Sequence, residues 1–232
     1  MTALLALLGG QEHTPGCEDI DRRLLEESAG AAPQVTVVLA ATSPRRRAYK
    51  MQEALAYWGA LGVSVRFAMN GGPDELERSL AALEEPDLVV MTGGHPWLLH
   101  TRLEGSKVLA RIRELAAQGV PLSGSSAGAI AMCEWRQYFR PPNPLKLVPA
   151  FGLVPGTAAA PHFDRYGLDR VVAAISRRYP TLEILGLDDR TAVVGRGTDF
   201  RVYGVGGVTV VQGGRSQRFR TGAALQLGTA SA

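Results

Sequence analysis

Ser126 stands between two glycines in Gly124-Ser-Ser126-Ala-Gly128, where the short apolar run Val120 to Leu122 stops and a helix-forming run, Ala127 to Met132, begins. A serine on such a strand-turn-helix corner is thrust out of the sheet. The strained backbone this requires is tolerable only where the flanking residues carry almost no side chain. The chemistry would be nucleophilic attack on an acyl carbon. The N–H groups at the start of the helix and its positive dipole end would favour the resulting oxyanion. A Gly/Ser-rich loop that merely lets a helix pack closely on a strand has the same pattern.

A nucleophilic serine needs a base, and the base needs an acceptor on its other ring nitrogen. Of the four histidines, His13, His95, His100 and His162, only His162 follows Ser126. It sits where a short apolar run, Ala158–His162, gives way to a loop. An α/β-hydrolase would carry its acid between serine and histidine. Here that interval contains no Asp, and its only Glu is Glu134, placed on the helix that follows Ser126. The order Ser126, His162, acid therefore remains, with Asp188 or Asp189 as the next acid at a strand end. For an oxyanion hole, the Ala127 N–H directly follows the nucleophile. Gly94 ends an earlier apolar run and could bring a second N–H close.

These groups must be positioned by the elements around them, and the chain alternates strand and helix patterns. Apolar runs at 3–8, 35–40, 63–68, 87–92 and just before Ser126 read as strands covered on both faces. Helix patterns lie at 20–27, at 74–83, from Ser43-Pro44 to about Ala60, and over a long stretch at 98–117. Five such steps predict an α/β fold with a mostly parallel, doubly covered sheet and active groups at the strands' carboxyl ends. Residues 135–156 read as a loop excursion beside the site or an ordinary surface connection. Residues 168–178 read as a helix, and the glycine-punctuated apolar runs from Leu182 onward as antiparallel hairpin strands at one sheet edge.

With 232 residues, 46% of them hydrophobic, the chain can bury a full core, and one domain over 1–232 is expected. The net charge of +3 comes from interspersed acids and bases, which disfavours a nucleic-acid partner. Cys17 and Cys133 are two and far apart, so neither a disulfide framework nor a metal site is expected. The apolar start, Met-Thr-Ala-Leu-Leu-Ala-Leu-Leu, is too short to span a membrane and lacks the basic opening of a secretory signal. A cytoplasmic protein without membrane attachment is the expectation. An exposed edge strand would suit a homodimer.

Gly93-Gly94, Gly124-Ser-Ser126-Ala-Gly128, Pro161-His162-Phe163 and Gly186-Leu-Asp-Asp189-Arg-Thr-Ala192 follow one another as do the motifs of the peptidase E/cyanophycinase family of serine peptidases. The resemblance spans about residues 3–211. It implies a fold like the class I glutamine amidotransferase domain, a three-layer sandwich whose elbow there usually carries Cys. Ser126 stands at that place, and Cys133 lies too far along to substitute. The resemblance further implies Ser126 as nucleophile, His162 as base, and Asp189, where the family has Glu, as acid. No cofactor is implied. The family often has Asn or Asp at the position of His95, which is read as lining the pocket or starting a helix.

The family's aspartyl dipeptidases hold the substrate's acidic side chain with an Arg downstream of the histidine. Here that position falls near Gly167, flanked by Arg165 and Arg170. Arg136, Arg140 and Lys146 are further candidates for a carboxylate. The implied activity is hydrolysis of dipeptides or short peptides, with a preference for an N-terminal Asp. Hydrolysis of aspartyl-arginine material, or a ligand-binding relative without turnover, are the alternatives.

Overall fold

The computed structural model describes residues 2–26, 32–69, 73–138 and 145–228, with the side chains of Pro73 and Asp74 left aside. The first half contains β1 (Leu5–Leu8), α1 (Glu18–Leu25), β2 (Gln34–Val38), α2 (Arg47–Ala60), β3 (Ser64–Ala68), α3 (Pro73–Ala82), β4 (Leu88–Met91), α4 (Pro96–Leu103), α5 (Lys107–Ala117) and β5 (Leu122–Ser125). After Ser126 come α6 (Ala127–Met132), β6 (Cys133–Gln137), β7 (Leu147–Pro149), β8 (Val154–Pro161), α7 (Phe163–Tyr166) and α8 (Asp169–Arg178). The chain closes with β9 (Glu183–Leu187), β10 (Thr191–Arg196), β11 (Asp199–Gly204), β12 (Gly207–Gln212), β13 (Arg215–Arg220) and β14 (Ala224–Gln226).

The larger sheet has the order β14-β11-β10-β1-β5-β4-β2-β3. Its five N-terminal strands are parallel, and β10, β11 and β14 extend it antiparallel beyond β1. Both faces are apolar, as the uninterrupted runs required. Along β1 and the residue before it, Leu4, Ala6 and Leu8 pack with Ile20, Leu24, Ala54 and Trp58 of α1 and α2. Leu5 and Leu7 face the other way, toward Leu99, Leu103, Ile112 and Met132 of α4, α5 and α6. A period of two thus divides one short strand between two cores.

Four expectations are corrected by the structure. The stretch 135–156, whose residues 139–144 lie outside the described residues, contributes strands where it is described: β6, β7 and the start of β8 belong to a second sheet, of order β13-β12-β9-β8-β6-β7. Cys133 and Glu134 accordingly lie on β6, not on the helix after Ser126, which ends at Met132. The long helix at 98–117 is two helices. Gly105 adopts φ +70 and Ser106 caps α5 by accepting the Leu109 N–H at 3.2 Å, so the local stop and start signals prevail over the continuing apolar period. The C-terminal strands do not share one edge, since β10, β11 and β14 extend the larger sheet while β9, β12 and β13 build the second. Val172 and Ile175 of α8 cover the second sheet. Among the described residues no helix is long and apolar enough to cross a membrane.

Candidate active site

Ser126 lies between the end of β5 and the start of α6 with φ 48 and ψ −104, a backbone that an L-residue rarely adopts. Its own N–H donates to Leu8 O at 2.9 Å, and its carbonyl accepts from Ile130 N–H at 3.0 Å. The two glycines of the motif are needed for close approach. A Cβ on Gly124 would lie 2.6 Å from the Gly128 carbonyl, and one on Gly128 would lie 2.2 Å from Met91 O. Neighbouring backbone therefore holds the corner and offsets its strain.

His162 directly follows β8 in the left-handed region, φ 54 and ψ 37, with its N–H donating to Gly9 O at 3.0 Å. Its Nε2 is 2.9 Å from Ser126 Oγ, and its Nδ1 is 2.6 Å from Asp189 Oδ1. A carboxylate only accepts, so Nδ1 carries the proton toward Asp189 and Nε2 is left to accept from the Ser126 hydroxyl. Gly10 makes room for the ring: a Cβ there would lie 2.2 Å from His162 Cε1. Tyr166 meets the imidazole edge-on at 5.5 Å.

The two adjacent aspartates after β9 point to different partners, as successive residues of an extended chain do. Asp189 is buried and reaches His162 with one oxygen; its other oxygen accepts from Arg165 Nη1 at 3.1 Å, and its N–H donates to Asp164 Oδ1 at 3.1 Å. Asp188 Oδ2 accepts from Gly207 N–H at 2.9 Å and pairs with Arg218. Asp188 thus ties β9 to β12 and β13, and Asp189 is the aspartate in contact with the imidazole.

Ala127 is the first residue of α6, so its N–H has no intrahelical acceptor. Since α6 is only six residues long, it offers local N–H groups more than a macrodipole. Gly94 is exposed at φ +142, and a Cβ there would lie 2.5 Å from Ala41 O. The adjoining Gly93 lies against the nucleophile, where an added Cβ would come within 3.3 Å of Ser126 Cβ.

Glu12 was not singled out from the sequence, although an acid two residues beyond the strand-end Gly9-Gly10 was the available signal. Its Oε1 accepts from Gly93 N–H at 3.0 Å and its Oε2 from Ser125 Oγ at 2.7 Å, with Lys50 Nζ at 3.7 Å. Burial works to raise this carboxyl, but Lys50, the Ser125 hydroxyl and His13 together draw it below its ordinary value. One carboxylate thereby ties the loop after β1 to the turn bearing Gly94 and to the residue before Ser126. Glu12→Gln should lower kcat about tenfold with little change in KM, less than deletion of an oxyanion donor itself. Steady-state kinetics on any cleaved peptide checks this, and an unchanged kcat would remove Glu12 from the positioning of the site.

The remaining sequence candidates are dispersed. Arg165 is held by Asp189, and Arg170 is exposed on α8. His95 is exposed at the start of α4 with its N–H donating to Ala41 O at 2.9 Å. Arg136 is half-buried on β6, Lys146 lies over the Tyr138 ring at 5.3 Å, and Arg140 falls outside the described residues. His13 is buried, accepts from Trp58 Nε1 at 3.1 Å and is pushed down by burial to about 4, while His100 is buried beside Phe151. Cys17 and Cys133 are free and buried, each thiol pushed up by burial to about 12. Among the described residues no group of three or more His, Cys, Asp or Glu is placed to hold a metal ion.

A pocket of about 270 Å³ opens at Ser126 and His162 between α6, β8 and α8. A larger surface cleft of about 920 Å³, lined by Arg215, Ser216, Gln217, Phe219 and Ala224–Gln226 among others, contains none of the three residues Ser126, His162 and Asp189.

Among solved structures the chain is similar to a peptidase from an acI-B1 actinobacterium, at 21% identity and a TM-score of 0.84 over 98% of both chains. It is also similar to a protein described as a peptidase E from Listeria monocytogenes EGD-e, at 17% identity and a TM-score of 0.64 over 88% of this chain and 100% of that one. At these identities the likeness is one of fold. No curated protein matches the sequence. The sequence profile of peptidase family S51 matches residues 4–203, most of the length, and the chain accordingly belongs to this family of serine peptidases.

Proposed function

We propose that the protein hydrolyses dipeptides or short peptides through an acyl-enzyme on Ser126. The observation that carries this reading is the continuous contact from Asp189 through His162 to Ser126, at 2.6 and 2.9 Å, opening into a pocket at the carboxyl end of the sheet. Ser126 Oγ attacks the scissile carbonyl carbon as its proton passes to His162 Nε2. The carbonyl oxygen becomes an oxyanion that the N–H groups of Ala127 and Gly94 stabilise. Collapse breaks the C–N bond, and His162 gives its proton to the departing amine. Water then attacks the ester, loses a proton to His162, and the second collapse releases the acid and returns that proton to Ser126. Asp189 holds the imidazole in the productive tautomer throughout and stabilises its protonated form.

A ligand-binding relative without turnover would have no need of all three groups at hydrogen-bonding distance, and the contacts therefore favour the catalytic reading. A preference for N-terminal Asp needs a cation beside the nucleophile. Arg165 is engaged by Asp189 and Arg170 does not line the pocket, so support for that preference is lacking among the described residues. At about 270 Å³ the pocket falls just below the roughly 300 Å³ at which whole-ligand sites commonly begin, so it takes in part of a small substrate and leaves no room for an extended protein strand. Dipeptides and tripeptides should be cleaved by the wild type, while folded protein and casein should be untouched. Efficient casein degradation that disappears in Ser126→Ala would overturn the short-peptide reading.

A further inference from the structure

The walls of the pocket at Ser126 carry no charge among the described residues. Apart from Ser126 and His162, its polar groups are the Gln137 amide and the Tyr166 hydroxyl. Leu168, Val171, Val172 and Ile175 recur at helical spacing along one stripe of α8 and its approach, and all four line the cavity. Val172 and Ile175 are almost fully buried, whereas Val171 at 41% and Tyr166 at 63% exposure are large apolar groups left open to solvent. Opposite α8, the wall is made by Ala158, Ala159 and Ala160 of β8. Larger residues there would fill the space, so the run of alanines keeps it open.

From this geometry we infer that the pocket is a specificity site for an uncharged apolar side chain on the residue that donates the scissile carbonyl. The inference rests on Ser126 being the nucleophile. Ser126 itself borders the cavity, and the side chain of the acyl residue begins one bond nearer to the attacked carbon than that of the leaving residue. The volume matches one aliphatic or aromatic side chain, not a whole peptide. An Asp carboxylate would lose its water here and gain no cation in return among the described residues. Each methylene buried in the transition state should instead raise kcat/KM by about fourfold.

Aminoacyl p-nitroanilides test this directly, because the leaving group is constant and only the acyl residue changes. With the wild type, kcat/KM should be highest for Leu, Met or Phe, at least tenfold lower for Ala, and at least a hundredfold lower for Asp and Lys. Val171→Arg places a cation at the exposed rim, where it need not disturb the core, and should raise the Asp-to-Leu ratio at least tenfold. Ala160→Leu should lower the Leu-to-Ala ratio at least tenfold by filling the cavity. If Ala160→Leu fails to fold, the wild-type ranking and Val171→Arg still decide. An Asp-first or Lys-first ranking that depends on Ser126 overturns this inference and leaves the peptidase reading standing, as does a ranking indifferent to the acyl residue. Absence of Ser126-dependent hydrolysis across the whole series overturns both.

Discussion

Ser126→Ala should reduce kcat by about 10⁴–10⁶ while leaving the fold intact, the loss typical of removing the nucleophile from a serine-histidine-acid unit. The substitution deletes one oxygen and keeps the Cβ, so the backbone strain at φ 48 and ψ −104 is the same for both residues. The bonds that hold the corner, from Ser126 N–H to Leu8 O and from Ile130 N–H to Ser126 O, are backbone bonds and survive the change. A melting temperature close to that of the wild type beside the lost turnover would separate chemistry from folding. Activity within about tenfold of the wild type would place the nucleophile elsewhere, since a change confined to binding would move KM first.

Asp189→Asn should cost about 10²–10⁴ in kcat. An asparagine amide can donate to His162 Nδ1, which favours the tautomer with the proton on Nε2. In that form Nε2 cannot take the proton from Ser126. The variant also deprives Arg165 of its charged partner, but that side chain is about half exposed and contributes little. The control lies one residue away. Asp188→Asn keeps one oxygen for Gly207 N–H but loses the charge and the second acceptor that Arg218 pairs with, so it should lower thermal stability while kcat stays within about threefold. Kinetics and melting curves on the two variants decide the matter, and the reverse ranking would move the acid to Asp188.

The elbow could be read from the chain alone because its requirement is local: a strained serine tolerates only minimal neighbours, and Gly124 and Gly128 stand on either side. His162 followed by elimination, and the doubly covered sheet followed from apolar runs whose length and composition report burial on both faces. The breaks around Gly105-Ser106 and at Met132 were equally local, but the surrounding apolar pattern masked them.

Other features depended on contacts between distant segments. Local sequence cannot say whether Asp188 or Asp189 faces the histidine, because the phase of a strand end is set by what it pairs with, here Gly207 on one side and His162 on the other. The half-buried β6, short β7 and their non-local partner β8 carry too little alternation to announce a sheet, so their pairing emerges only when the chain closes. Glu12 gains its place from Gly93 and Ser125, both far along the chain. The apolar pocket is the same kind of feature. Residues of α6, β8 and α8 read as helix or short apolar run and those of β6 and β7 as loop, and only their packing leaves a space beside Ser126, since a cavity is defined by the distance between walls and no single segment encodes that distance.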